Sequence, residues 1–377
     1  MAKKVLIVYA SAGMGHVKAA FSIAEAFAAS HPELIVKNLD ILKHVRYLWL
    51  KIFREGYHYV SAKKPGVWGR FYFHANKKSV QWLLYFLART AVKSSFFKIV
   101  NDFNPDFFIV THPLPVKLLD RNKEGLIHKM PLVTVITDYG CHSYWLSDAV
   151  NYYFVAADVV RYCLKDYGIE NNKIVVSGIP IEPKFSRKLD RRELAKKFKI
   201  NPDLFTILIV GGQFDFSALQ KIISGIKGQN GSRVQFLVVA GRDHYLEQAL
   251  QRSDLNKDSA VKVFGFIDNM EELMTVSDLM FSKAGGLTVS EAMAKGLPMI
   301  INKVIPGQED DNLSYLVSQQ AAIKVEDFNG IITVVNQLLD NPQKMAKMKA
   351  AAQRIGKPNA AIDLANFVYQ HINQNFN

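Results

Sequence analysis

Three short stretches of this 377-residue chain combine residue types and spacing that could do chemistry. The first, Ser11-Ala-Gly-Met-Gly-His16, is a glycine turn that ends on a histidine where a helical pattern begins. The positive end of a helix dipole disfavours imidazolium, so a neutral His16 could take a proton from an incoming hydroxyl. A histidine capping its own turn fits the same pattern. A dinucleotide fingerprint fits only in part: its third glycine would fall on Lys18, although Asp40 stands where a ribose-binding acid would.

The second stretch is Ser282-Lys-Ala-Gly-Gly-Leu-Thr-Val-Ser-Glu291. Amides at Gly285, Gly286 and Leu287, with a helix dipole behind them, suit a diphosphate, and Lys283 adds a positive charge. Glu291, further along the helix, could accept hydrogen bonds from two ribose hydroxyls. A structural turn with a surface glutamate is the plainer alternative. The third, Ile305-Pro-Gly-Gln-Glu309, sets Gln308 and Glu309 on a rigid turn suited to vicinal sugar hydroxyls. No Asp-x-Asp motif occurs, and Glu309-Asp310-Asp311 reads as a helix start. The expectation is therefore no metal and no other cofactor, with amides holding the leaving group.

Such stretches need elements that bring them to one edge. Residues 5–10 form a buried-type strand, 17–30 a helix with Ala20, Ile23, Ala24 and Phe27 on one face, and 35–39 a second strand. Further strands are predicted at 106–110, 132–137, 153–156 and 173–177, with a helix at 158–167. After a polar connection at 182–204 the alternation restarts. Strands at 206–210, 234–240, 261–264 and 279–282 each run into glycine, and 298–301 is the last clear strand. This predicts an α/β chain of two Rossmann-like domains facing a cleft, with ligands at the carboxyl ends of the strands. The expected division is 1–185 for the first domain and 186–357 for the second. The final helix, 358–377, is expected to cross back onto the first domain.

Composition agrees with two globular domains: 49% hydrophobic and 21% charged residues leave ample core and little low-complexity sequence. Cys141 and Cys163 cannot build a disulfide framework, so a reducing, cytoplasmic setting is expected. The first apolar run is too short for a signal peptide, and the best candidate span, 82–92, is interrupted by Arg89. Net charge is +13, concentrated in the first half, where residues 1–190 hold 26 Lys/Arg against 15 Asp/Glu. Residues 41–101 carry 12 Lys/Arg and one acid, Glu55, among 14 aromatics that include Trp49, Trp68 and Trp82. Cations beside Trp and Tyr match a membrane-surface element, at about 1 kcal/mol per cation near an anionic surface. The same residues could instead be a helical core with a solvated face, or could stack bases.

Taken in order, several motifs resemble one family. These are Gly13-Met-Gly-His16, Val135-Ile-Thr-Asp-Tyr139 with His142 and Trp145, Tyr153-Phe-Val-Ala156, Gly178-Ile-Pro-Ile-Glu-Pro183, residues 264–273, Lys283-Ala-Gly-Gly-Leu-Thr288 and Pro306-Gly-Gln-Glu309. Together they resemble the diacylglycerol glycosyltransferases, which comprise plant monogalactosyldiacylglycerol synthases and bacterial processive diacylglycerol glucosyltransferases. The resemblance implies the two-Rossmann GT-B fold and an inverting hexose transfer from a UDP-sugar to diacylglycerol, in one round or several. His16 would be the base, and Asp138 a second catalytic residue that also shapes the acceptor side. Gly15, His142 and Trp145 would shape the acceptor side. On the donor side, Glu291 would clasp ribose, Gly285, Gly286, Leu287 and Thr288 the diphosphate, and Gln308 and Glu309 the sugar. Phe264 and Phe266 would lie against uracil through their backbone. Gly211 and Gly212 would flank the donor, though Gly211-Gly-Gln-Phe-Asp215 is poorer in glycine than the turn expected there. Asn151 stands where members commonly carry Asp.

The implied partners are a UDP-hexose, diacylglycerol and an anionic membrane surface, on its cytoplasmic face, with no nucleic acid. Two rivals make different demands. A nucleotide-sugar 2-epimerase of the same fold has no need of residues 41–101, and a nucleic-acid-binding protein would use those cations with steep salt dependence.

Overall fold

The computed structural model describes residues 2–45, 92, 94–119, 130–211, 214–302, 304 and 307–372. Most of the basic aromatic segment, 46–91, lies outside the described residues, as do Gly212, Pro306 and 373–377.

The first half runs β1 (Lys4–Tyr9), α1 (Met14–Ser30), β2 (Ile35–Asp40), α2 (Ser94–Phe103), β3 (Phe107–Val110), α3 (Pro113–Leu119), β4 (Leu132–Val135), β5 (Tyr152–Val155), α4 (Asp158–Asp166) and β6 (Ile174–Val176). Its six strands are all parallel, in the order β2-β1-β3-β4-β5-β6. Central strands covered on both faces must be largely apolar: β3 is so throughout, and β1 and β4 depart only at Lys4 and Thr134.

The second half runs α5 (Arg191–Phe198), β7 (Phe205–Val210), α6 (Phe216–Asn230), β8 (Val234–Val239), α7 (His244–Arg252), α8 (Asp254–Lys257), β9 (Val261–Phe264), α9 (Met270–Val276), β10 (Leu279–Phe281), α10 (Gly286–Ala294), β11 (Met299–Ile301), α11 (Gln308–Ser318), β12 (Ala322–Lys324), α12 (Phe328–Leu339), α13 (Pro342–Ile355) and α14 (Ala360–His371). Its parallel order is β12-β11-β10-β7-β8-β9. The expected α/β architecture of two Rossmann-like sheets is present. Strand β12 was not expected from sequence: three residues at a sheet edge, with only Ala322 buried, give too little apolar pattern to read.

Each sheet reverses its strand order once. In the first, β1 is followed by β2 on one side and β3 on the other; in the second, β7 is flanked by β8 and β10. A crevice opens at such a switch point, outside the carboxyl ends of the two strands. The loops that emerge there are 10–13 and 111–112 from the first sheet, and 211–215 and 282–285 from the second.

The apolar cluster that includes Leu6, Val8 and Val110 continues through Leu208, Met280 and Ile301, so the packing spans both halves. Helix α14 belongs with the first half, where Ala361, Leu364, Ala365 and Val368 share a cluster with Ala20, Ile23 and Phe27. Gly178, with φ +94°, marks the crossing: a Cβ there would lie 2.4 Å from Lys357 Cβ.

Candidate active site

His16 sits at the third position of α1, whose first turn no side chain caps. Its Nδ1 lies 2.6 Å from the Thr111 carbonyl oxygen and 3.0 Å from Thr137 Oγ1. A carbonyl can only accept, so the proton is assigned to Nδ1 and Nε2 keeps its lone pair. Thr111 also donates through its hydroxyl to the His16 carbonyl, 3.0 Å away. Burial pulls the imidazole's pKa down to about 4, against a smaller raising effect of the Thr111 carbonyl. At neutral pH His16 is an uncharged base with one open nitrogen. Two rings stand near it, Trp145 with its centroid 6.3 Å away and His112 at 4.6 Å.

Across the crevice, no side chain caps the first turn of α10. The amides of Gly286, Leu287 and Thr288 therefore have no intrahelical acceptor, the condition under which a helix start attracts an anion. The two glycines of this turn differ. Around Gly285 the nearest atom a Cβ would meet is Lys283 Cε at 3.7 Å, whereas at Gly286 it would lie 2.2 Å from the Thr137 carbonyl oxygen. Gly285 faces open space, while Gly286 lets the first half approach.

Glu291, one turn and a half into α10, is buried, and its Oε1 has no hydrogen-bond partner among the described residues. Lys18 Nζ from α1 stands 3.6 Å from that oxygen, close enough for charge attraction but too long for a hydrogen bond. Burial pushes the Glu291 carboxyl up to about 7, with Lys18 opposing. Lys283 Nζ reaches Glu309 Oε1 at 3.0 Å, which joins two of the expected donor residues. Gly307, with φ +106°, turns the chain into α11, so that Gln308 is its first residue and Glu309 is buried behind it. The Gly307 amide donates to Asp310 Oδ2 at 3.0 Å; the acidic cluster is a helix start. Among the described residues, no group of three His, Cys, Asp or Glu side chains is arranged to hold a metal ion.

Asp138 lies at the seam between the halves, with no hydrogen bond to His16 among the described residues; the neighbouring Thr137 reaches the imidazole instead. Burial raises the Asp138 carboxyl to about 7, the Asn312 bond lowers it, and the charges of Asp311 and Glu309 add to the rise. Asn312 on α11 accepts from the Tyr139 amide at 2.7 Å and donates to the Ala284 carbonyl at 2.8 Å and to Asp138 Oδ1 at 3.2 Å. Tyr139 stacks on Tyr315, centroids 4.6 Å apart, and its hydroxyl meets Ser290 Oγ at 3.1 Å.

Trp145 and His142, expected on the acceptor side, are buried. His142 Nδ1 accepts from the Tyr144 amide at 3.2 Å, and its ring stacks on Tyr144. Gly15 meets no atom within 4 Å of a notional Cβ. Gly211 donates to the Val239 carbonyl at 2.6 Å, and the Phe264 carbonyl accepts from the Ala240 amide at 2.8 Å, so both backbone groups are already occupied. The Phe266 ring is exposed under the Arg242 guanidinium, 5.0 Å from its centroid.

Three findings go against, or beyond, the sequence. Asp40, a candidate ribose ligand of a dinucleotide, instead accepts from the Ser11 and Leu42 amides at 3.2 and 3.0 Å. Cys141 and Cys163, expected as free thiols, form a disulfide between the 140–145 loop and α4; adjacency created by the fold, not spacing, pairs them. Asn151 accepts from the Leu132 amide at 2.8 Å, a role a carboxylate could also fill. Sequence assigns no role to Thr111, His112 or Asn312, nor to Thr137 within the Val135–Tyr139 motif. The only signal for Thr111, His112 and Thr137 was polar residues following apolar strands that lead into the crevice.

The family model for monogalactosyldiacylglycerol (MGDG) synthase matches residues 16–181, and that for the glycosyltransferase family 28 C-terminal domain matches 206–364. A processive diacylglycerol beta-glucosyltransferase of Bacillus mycoides is 30% identical over 366 residues, covering 95% of this chain and 91% of its own. Its namesake in Bacillus subtilis is 29% identical, covering 92% and 90%. Among solved structures, MurG of Acinetobacter baumannii superposes with a TM-score of 0.60 at 15% identity, covering 98% of this chain and 99% of its own. A Neisseria meningitidis UDP-GlcNAc 2-epimerase bound to UDP-GlcNAc gives 0.61 at 16%, covering 97% and 100%. At such identities these two speak for the GT-B fold alone. The near-full-length match at 30% identity goes further: this chain belongs to the diacylglycerol glycosyltransferase family.

Proposed function

We infer that this protein transfers a hexose from a UDP-sugar to the free hydroxyl of 1,2-diacylglycerol, with inversion. The observation that carries this reading is His16, held as the Nδ1–H tautomer by Thr111, in a crevice whose other wall carries the uncapped start of α10. The lipid oxygen attacks the anomeric carbon opposite UDP and gives its proton to His16 Nε2, while the C1–O bond to the diphosphate breaks and its electrons stay with UDP. Amides 286–288 face the departing charge, which forms in a partly dehydrated site where oriented dipoles act strongly. A buried Glu291 oxygen without a partner suits a ribose hydroxyl, which would supply the missing hydrogen bond. Lys283, Gln308 and Glu309 complete the sugar side.

The acceptor is a lipid, and the composition of residues 41–101 suits reversible docking to an anionic leaflet. Among the described residues no helix is long and apolar enough to cross a membrane. Incubation with diacylglycerol liposomes and either UDP-glucose or UDP-galactose, with lipid products identified by mass spectrometry, tests the activity and selects the sugar. Absence of any glycosylated lipid with both donors refutes it. Flotation with anionic vesicles tests the docking; protein that stays at the bottom of the gradient at every anionic lipid content refutes that part.

A further inference from the structure

His112 leads out of β3 beside His16, the two rings meeting edge to face with planes 78° apart. The Leu114 amide donates to His112 Nδ1 at 3.1 Å, which commits that nitrogen to accepting. Burial, and then the neighbouring His16, hold His112 neutral by lowering its pKa well below the usual histidine value. A neutral imidazole that accepts at Nδ1 carries its proton on Nε2. No acceptor for that proton occurs among the described residues. The crevice thus holds two neighbouring imidazoles of opposite tautomer: His16 offers a lone pair and His112 an N–H.

With ring centroids 4.6 Å apart, the pair suits a molecule bearing a hydroxyl and, on the next carbon, an acyloxy group whose carbonyl oxygen can accept. Diacylglycerol is such a molecule, its free hydroxyl standing beside an ester. We propose that His112 binds the acceptor by donating Nε2–H to the ester carbonyl next to the attacking hydroxyl, so that the hydroxyl is presented to His16. This rests on His16 being the base.

Replacement by Asn and by Gln separates the two nitrogens of His112. Asn can accept from the Leu114 amide as Nδ1 does but cannot reach as far as Nε2; the Gln amide N–H stands close to the Nε2 position. H112N should lower kcat/KM for diacylglycerol about 10-fold or more, the effect of one lost hydrogen bond in a closed site, while KM for the UDP-sugar stays unchanged. H112Q should retain most activity. The wild type should prefer a diester over the corresponding diether acceptor, and H112N should lose that preference. If Asn preserves activity and Gln does not, His112 only fixes its loop and the proposal fails. Equal use of ester and ether by the wild type overturns it even where H112N does not fold. Full lipid transfer by H16A would instead remove the base reading on which it rests.

Discussion

Thr111 holds His16 from two directions: its carbonyl takes the imidazole Nδ1–H at 2.6 Å, and its hydroxyl donates to the His16 carbonyl at 3.0 Å. A residue at the end of β3 therefore sets both the tautomer and the backbone position of a residue in α1.

His16→Ala should reduce kcat by about 10² to 10⁴, the usual worth of a positioned general base. UDP affinity, measured by calorimetry, should remain near wild type, because the residues proposed for the diphosphate and ribose lie on the other wall. Lost UDP binding would reassign His16 to the donor side.

The two glycines of the α10 turn predict opposite outcomes. Gly286→Ala should cost about 1–3 kcal/mol, as overpacking usually does, since its Cβ would meet the Thr137 carbonyl. Gly285→Ala has room and an extended backbone with φ −69°, so thermal stability should hold while KM for the UDP-sugar rises. Equal melting temperatures for both variants would contradict the seam described above.

If Glu291 holds the ribose, donor binding should depend on pH. The folded Glu291 carboxyl titrates at about 7, above the ordinary 4.5, so the folded chain keeps the proton over a range where the unfolded chain has released it. The resulting stabilisation is complete below 4.5 and is lost as pH rises through 7. Glu291→Gln should therefore melt higher than wild type at pH 8 but not at pH 4.5. The same substitution should raise KM for the UDP-sugar at pH 8, where the ionised carboxylate is the better acceptor for ribose hydroxyls. A wild-type KM that does not increase as pH falls through 7 would argue against that ribose role.

Asn312→Ala would leave the buried Tyr139 amide and Ala284 carbonyl without partners, a loss of about 1–3 kcal/mol by denaturant titration. Activity should fall with stability, because the same side chain fixes the 138–139 segment against the α10 turn. An unaffected unfolding midpoint would show that the halves are held together elsewhere.

Reduction of the Cys141–Cys163 bridge should lower thermal stability, by about 3 kcal/mol if loop-closure entropy governs a crosslink between residues 22 apart in sequence. Scanning wild type and C163S with and without reductant checks this: only the wild type should respond. Two titratable thiols in the folded, unreduced protein would mean that the bridge is absent.

The parallel sheets were legible because buried aliphatic runs such as Val5–Val8 and Ile207–Ile209 must sit in covered strands, and a glycine in the turn that follows, Gly13 and Gly211 here, marks where such a run ends. Gly285, Glu291, Gln308 and His16 stood out for a similar reason: each lies in the turn after a strand or in the first two turns of the helix that follows it, where local sequence fixes both position and backbone. Thr111, Thr137 and Asn312 did not, since nothing local distinguishes a threonine that orients a histidine 95 residues away from one that completes a strand. Their roles arise only when β1 and β3 become neighbours and α11 is pressed against the 138–140 loop. The disulfide and the unpartnered Glu291 oxygen belong to the same class. Short-range pattern sets which groups reach the crevice, whereas hydrogen-bond partners, burial and the resulting protonation states depend on distances between segments that meet only in the folded chain.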